Sequence, residues 1–265
     1  MLPIVNSFYY SLMSWDGLGE MKFIGLANFG EVLSDRIFWK GAYNNILVLL
    51  ASVFGQVPIA LAIALLLSGK VKGVKLFRSI GFLPVVISTV IVSIVWNMVY
   101  NYDAGLLNQL LRLTGLGGLA RNWLGEPATA MIAVCITMIW QFVGLYLIIF
   151  LAALQNIPGE IFEAAEIDGA TGLQKTLLVT VPMLKETIMV CVMLCISGSL
   201  RTFDLIYVMT NGGPYHATEV MALYMYNQTF SSLRYGYGSA ISLVIFMFSF
   251  TLVLITNRLL KPKSE

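Results

Sequence analysis

The sequence predicts an all-α membrane protein, a single bundle of five or six helical spans, and three observations carry that expectation. Hydrophobic residues make up 58% of the chain and charged residues 11%, where soluble domains carry about 25% charged residues. Mean hydropathy is +0.82. With 265 residues, and about 20 apolar residues needed per span, the chain holds that many helices joined by short connections. A net charge of +2 supplies no basic field, which excludes nucleic-acid binding. Cys135, Cys191 and Cys195 all sit in apolar segments without disulfide or metal-ligand spacing, and read as packing residues.

Met1 to Met13 is apolar but too short to cross a bilayer. It also lacks the basic start and small-residue cleavage site of a signal peptide, so it reads as the outer end of a first span whose beginning is missing. Asn45 to Leu67 is the first full span, with Pro58 tolerable because neighbouring helices can satisfy the freed backbone groups. The turn carrying Lys70, Lys72, Lys75 and Arg78 has no acidic residue and is placed in the cytoplasm by the positive-inside rule. Ile80 to Tyr100 then runs outward and ends in Trp96, Tyr100 and Tyr102, the amphipathic aromatics of a membrane interface. An external loop from Asp103 to Pro127 precedes a span from Ala128 to Leu154. Residues Gln155 to Lys185 stay inside; Glu186 to Met209 leads out; Asn211 to Tyr237 is external; Gly238 to Thr256 returns. Over all loops nine Lys or Arg fall inside and six outside, with Arg201 within a span. Both termini are therefore expected in the cytoplasm.

The segment from 157 to 185 carries the strongest local signals. Pro158 suits a first helical position, and Glu160 and Glu163 favour the positive helix terminus. A short helix is predicted to about Ile167, a turn at Asp168-Gly169, and a second helix from about Thr171 to Val181. Ile161, Ala164, Ala165 and Asp168 recur at helical spacing, so two small residues on one face would admit a close partner, with Glu163 beside them as a charge to pair.

Glu163-Ala164-Ala165, then Asp168-Gly169-Ala170, then Val179-Thr180-Val181-Pro182, resembles the EAA loop of permease subunits of ATP-binding-cassette importers. The resemblance implies a type I importer permease bundle of about six transmembrane helices, its first span truncated here, forming one domain over 1–265. It implies that 155–185 is a coupling helix seated on a cytoplasmic ATPase, with Glu163, Ala164, Ala165, Asp168, Gly169, Ala170 and Pro182 as coupling residues. Where members often carry an aromatic after the glycine, this chain has Thr176 and Leu177. The stretch from Phe203 through Asn211-Gly212-Gly213-Pro214, Thr218-Glu219, Tyr226 and Phe230 to Gly236-Tyr237-Gly238-Ser239-Ala240 resembles the carbohydrate-uptake branch, specifically the maltose-type first permease subunit. That implies a second homologous permease subunit, two ATPase subunits that hold the ATP and Mg, an extracytoplasmic substrate-binding protein, and a bacterial or archaeal cytoplasmic membrane. No cofactor is expected in this chain itself.

Polar groups within spans usually face a cavity or the bundle interior. Gln141, Phe142 and Leu145 share one helix face; Cys195, Gly198, Ser199 and Thr202 share another. These faces align with positions that line the sugar site in the resembled family, although small residues on a membrane helix equally serve close packing. Arg201 and Asp204, three apart, are expected to pair near the outer interface; the sharper alternative has Arg201 meeting an acidic substrate. Asn211-Gly212-Gly213-Pro214 reads as a helix-ending turn, or as the opening of a loop that touches the binding protein. His216 reads as a solvated loop residue. The chain has no G-x-x-x-x-G-K-[ST] run, no G-x-S-x-G, no H-E-x-x-H and no paired intramembrane Asp. Those absences disfavour an ATPase or an intramembrane enzyme, and the lack of an acidic or histidine relay disfavours an ion-driven transporter.

Overall fold

A computed structural model describes residues 2–68, 73–200 and 202–260. Its helices run in the order α1 Leu2–Ser11, α2 Ala27–Ser34, α3 Arg36–Ala51, α4 Val57–Leu67, α5 Val74–Val86, α6 Thr89–Val99, α7 Leu106–Leu113 and α8 Pro127–Gln155. They continue as α9 Gly159–Ile167, α10 Gly172–Lys175, α11 Val181–Met183, α12 Lys185–Ser199, α13 Asp204–Met209, α14 Met221–Tyr226 and α15 Tyr235–Leu260. A two-residue antiparallel ribbon pairs Met13–Ser14 with Lys22–Phe23. Lys70, Lys72, Arg201, Lys261 and Lys263 lie outside the described residues.

Among the described residues three stretches are long and apolar enough to cross a membrane unbroken: Arg36–Leu67, Pro127–Gln155 and Tyr235–Thr256. The first begins nine residues before the expected Asn45, because Asp35 caps the helix. Its Oδ1 accepts from the N–H groups of Ile37 (2.8 Å) and Phe38 (3.3 Å), which are otherwise orphan donors. Within this span a π-helical turn, Ser52–Gln56, precedes Pro58, and a second one, Thr176–Thr180, precedes Pro182. A proline lacks the N–H that the helix needs and crowds the preceding turn; a widened turn immediately before it relieves both constraints.

Two expected spans are broken. Ile80 to Tyr100 divides into α5 and α6, because Ile87 leaves the helix for extended backbone (φ −74°, ψ 137°) three residues after Pro84. Glu186 to Met209 stops at Ser199 and resumes at Asp204. The expected external loops are partly helical, since α7 lies in the first and α14 with a π turn, Asn227–Ser231, in the second.

The chain folds as two compact units made of discontinuous segments, 1–48 with 89–134 and 198–265, and 49–88 with 135–197. In the second unit Val57, Ala60 and Ala64 of α4 meet Tyr146, Leu147, Phe150, Leu151 and Leu154 of α8, together with Leu184, Cys191 and Cys195. Both helices bury residues at three- and four-residue intervals, the period of one helix face. Cys191 and Cys195 are thus core packing residues, and Cys135 is half-buried. In the first unit Val32, Phe38 and Ala42 pack with Met221, Tyr224, Tyr237, Ala240 and Ile241.

Asp35 also fastens that core. Its Oδ2 accepts from the hydroxyls of Tyr224 and Tyr237, the latter at 2.7 Å. Burial alone would raise its carboxyl, but the two tyrosine hydroxyls and the two backbone N–H groups outweigh it and hold the group below the ordinary value of 3.8. The folded state therefore binds this proton less tightly than the unfolded chain. Its stabilisation is complete above the unfolded value and is lost as pH falls through the lower folded one. Asp35→Ala is expected to cost about 2–4 kcal/mol through the lost cap and two charge-assisted hydrogen bonds. Thermal unfolding in detergent checks this, and an unchanged midpoint at neutral pH would show that the node is not stabilising.

Candidate coupling segment and path residues

The 155–185 segment is a helical hairpin whose joints are set by local chemistry. Pro158 is the N-cap of α9 (φ −59°, ψ 136°), one position earlier than expected, and Glu160 lies in the first turn. Gly169 adopts φ +77° after the C-cap Asp168, and the Ala170 N–H returns to the Ala165 carbonyl at 2.9 Å. That left-handed backbone is the usual way to close a helix, and a glycine adopts it without strain. Thr171 then caps α10 in a reciprocal box with Gln174, whose Oε1 accepts from the Thr171 N–H at 3.0 Å. An ion pair between Glu166 and Lys175 joins the two helices, holding the Glu166 carboxyl below the usual carboxylate range. The Lys175 ammonium also stands 6.0 Å from the centre of the Phe162 ring. Leu184 ends α11, and the path bends by 65° into α12.

Burial divides the residues expected to couple. Glu163, Ala164, Asp168 and Gly169 are exposed, but Ala165 is buried at 8% exposure. The small pair is therefore not jointly available. Ile167, which no motif marks, is 87% exposed on the same side as Glu163 and Ala164, at intervals of four and three residues. Leu173 and Leu178 are also exposed at 71% and 74%, so the hairpin presents an apolar edge beside its charges. Ala170 is half-buried, and Pro182 is exposed at the start of α11.

The path candidates divide between the two units. Gln141 is buried on α8, and its Nε2 donates to the Ile87 carbonyl at 3.5 Å, where the chain breaks between α5 and α6. Phe142 packs at the edge of the α4–α8 core and Leu145 is half-buried. In the other unit Ser199 is buried and its carbonyl accepts from the Asn45 Nδ2 at 3.3 Å. Thr202 is half-buried, and its Oγ1 donates to the Gly198 carbonyl at 3.3 Å. A Cβ at Gly198 would meet nothing within 4 Å, so no contact among the described residues requires a glycine there. Arg201, and with it the expected pairing to Asp204, lies outside the described residues.

The 210–221 turn is more ordered than a solvated loop. Asn211 and Gly212 take φ +47° and +81°, and a Cβ at Gly212 would lie 2.5 Å from the Glu219 carboxylate. Thr218 Oγ1 donates to the Gly213 carbonyl at 2.7 Å. Asn44 Nδ2 donates to the carbonyls of Ala217 (3.1 Å) and Glu219 (2.7 Å), while Asn45 Oδ1 accepts from the Met221 N–H at 3.0 Å. His216 is exposed as expected, yet its Nδ1 sits 2.8 Å from Oε2 of Glu219, whose side chain is 3% exposed. Tyr215 projects from the tip, 87% exposed. The sequence signal for this anchoring was present in Asn44 and Asn45, two adjacent amides on a membrane helix, where polar side chains seldom go unpartnered.

The fold is that of an importer permease. A bacterial ABC transporter involved in the import of the acidic polysaccharide alginate superposes with a TM-score of 0.87 at 22% identity, covering 100% of this chain and 90% of that one. Residues 37–264 match the model of the binding-protein-dependent transport system inner membrane component. The chain belongs to that family. Among its relatives, the probable ABC transporter permease protein YurN of Bacillus subtilis is 37% identical, covering 100% of this chain and 91% of YurN. The trehalose/maltose transport system permease protein MalF of Thermococcus litoralis is 36% identical, covering 96% of this chain and 86% of MalF. The chain is thus an ABC-importer permease subunit, a membrane protein of the non-catalytic class.

Proposed function

We propose that this chain forms half of the translocation pathway of an ATP-driven carbohydrate importer and takes its energy from a cytoplasmic ATPase seated on α9. The observation that carries the coupling role is the exposed face of Glu163, Ala164 and Ile167, presented by a hairpin that a capping box and an ion pair hold rigid. The sugar assignment is supported by relatives named for trehalose/maltose, multiple sugars, diacetylchitobiose and lactose. A second homologous permease subunit completes the pathway, and two ATPase subunits hold ATP and Mg. Gln141, Phe142, Leu145, Ser199, Arg201 and Thr202 are the residues proposed to border the path. In this orientation 155–185 and both termini are cytoplasmic and the 210–221 turn is external, with Tyr215 exposed toward an extracytoplasmic binding protein.

The test is a thermal-shift screen of the cognate binding protein against neutral and acidic glycans, followed by ATP-dependent uptake of the best ligand into proteoliposomes. Stabilisation and uptake of a glycan are expected. An amino acid or a metal ion as the sole stabilising ligand would overturn the carbohydrate assignment, and an acidic glycan alone would move it to a uronide-type substrate.

A further inference from the structure

Six aromatic rings of the first unit make a continuous ladder that the path candidates do not include. Phe203 stacks on Tyr207 at 5.3 Å between centres, and both contact Tyr226, at 5.4 and 5.6 Å. Tyr226 meets Phe230 at 5.2 Å, Phe230 meets Tyr235 at 5.8 Å, and Tyr235 meets Trp15 at 5.5 Å. Phe230 is 53% and Tyr207 41% exposed, although burial of such surface is strongly favourable.

At its Trp15 end the ladder opens on a cavity of about 400 Å³, also bordered by Asp16, Glu20, Asn28 and Arg234. Asp16, Asn28 and Arg234 are held in place before any ligand arrives. Arg234 donates to both Glu31 oxygens at 2.7 Å, and its guanidinium lies 4.2 Å from the Tyr237 ring centre. The Asp16 carboxylate accepts from the N–H groups of Leu18 (3.0 Å) and Gly19 (2.8 Å). Tyr235 lies so close over Gly17 that a Cβ there would be 2.6 Å from its ring.

We propose that this ladder and its cavity form a binding track for an oligosaccharide, outside the residues assigned to the path. A pyranose offers a C–H face that stacks on an aromatic ring and a rim of hydroxyls that needs fixed donors and acceptors. Rings in series beside an immobilised guanidinium, a carboxylate and an amide supply both, at a low ordering cost. A lipid-facing aromatic belt would place its rings individually at the headgroup level. Here rings from four separate segments pack on one another.

The inference rests on the carbohydrate reading, and its test separates the two. Maltotetraose, cellotetraose and chitotetraose are titrated against the complete transporter in lipid nanodiscs without the binding protein, and separately against the binding protein. The wild type is expected to bind at least one of them. Phe230→Leu and Tyr226→Leu should each weaken that binding about tenfold, while Phe230→Tyr retains it. Leucine variants that bind like wild type would overturn the proposal, and so would a wild-type transporter that binds none of the three. Loss of the second permease subunit from the leucine variants would also overturn it, identifying the ladder as a subunit contact. If the binding protein responds to a probe and the transporter does not, the track fails and the carbohydrate reading stands. If neither responds, both fail.

Discussion

Ile167→Asp is expected to reduce co-purification of the ATPase with the permease roughly thirtyfold, which corresponds to about 2 kcal/mol at a central apolar contact. The side chain is 87% exposed on α9, so the change should leave the fold of this chain intact and act only when a partner covers the site. Glu163→Gln, which removes a charge at the rim of the same face, should cost less and make the remaining association less sensitive to salt. Pull-down of the assembled complex at two salt concentrations, with ATP-dependent uptake measured in parallel, checks both. Undiminished ATPase recovery with Ile167→Asp would show that the ATPase does not sit on this face.

Gly144→Ala is expected to destabilise the second unit by about 3 kcal/mol or more, the upper end of overpacking. A Cβ at 144 would stand 1.9 Å from the Gly81 carbonyl oxygen and 3.1 Å from the Phe82 Cα. The obstructing atoms are backbone, so no rotamer change relieves the clash and α5 must move away from α8. Gly81→Ala provides the contrast. Its Cβ would meet the Leu147 side chain at 3.1 Å, which can shift by a few tenths of an ångström, so the loss should be about 1 kcal/mol. Unfolding midpoints of the two variants in one detergent should separate widely, and equal midpoints would show that the helix crossing is not this tight in the membrane.

Much of the 155–185 hairpin was legible because each joint is a local event. Gly169 permits a left-handed residue, Thr171 and Gln174 sit at the spacing of a capping box, and Pro158 opens a helix; none of these needs a distant partner. Which side of α9 faces outward was not legible in the same way. Ala165 and Ile167 are two residues apart on one short helix, and the elements packed against it decide which is covered. The tie between Asn45 and Met221 spans 176 positions, so a local pattern shows only that an amide within a span wants a partner.

The sequence by itself determined that this protein lives in a bilayer, the presence of its three unbroken spans though not the start of the first, and how the hairpin starts and stops. Those follow from apolar composition and from backbone donors that must be satisfied within a few residues. Only the tertiary structure decided that the spans expected over 80–100 and 186–209 are broken, that Gly144 must be a glycine, and that Ile167 rather than Ala165 is exposed. Hydropathy counts apolar residues without regard to backbone continuity, and a close approach or an exposed face exists only once a second element stands beside the first.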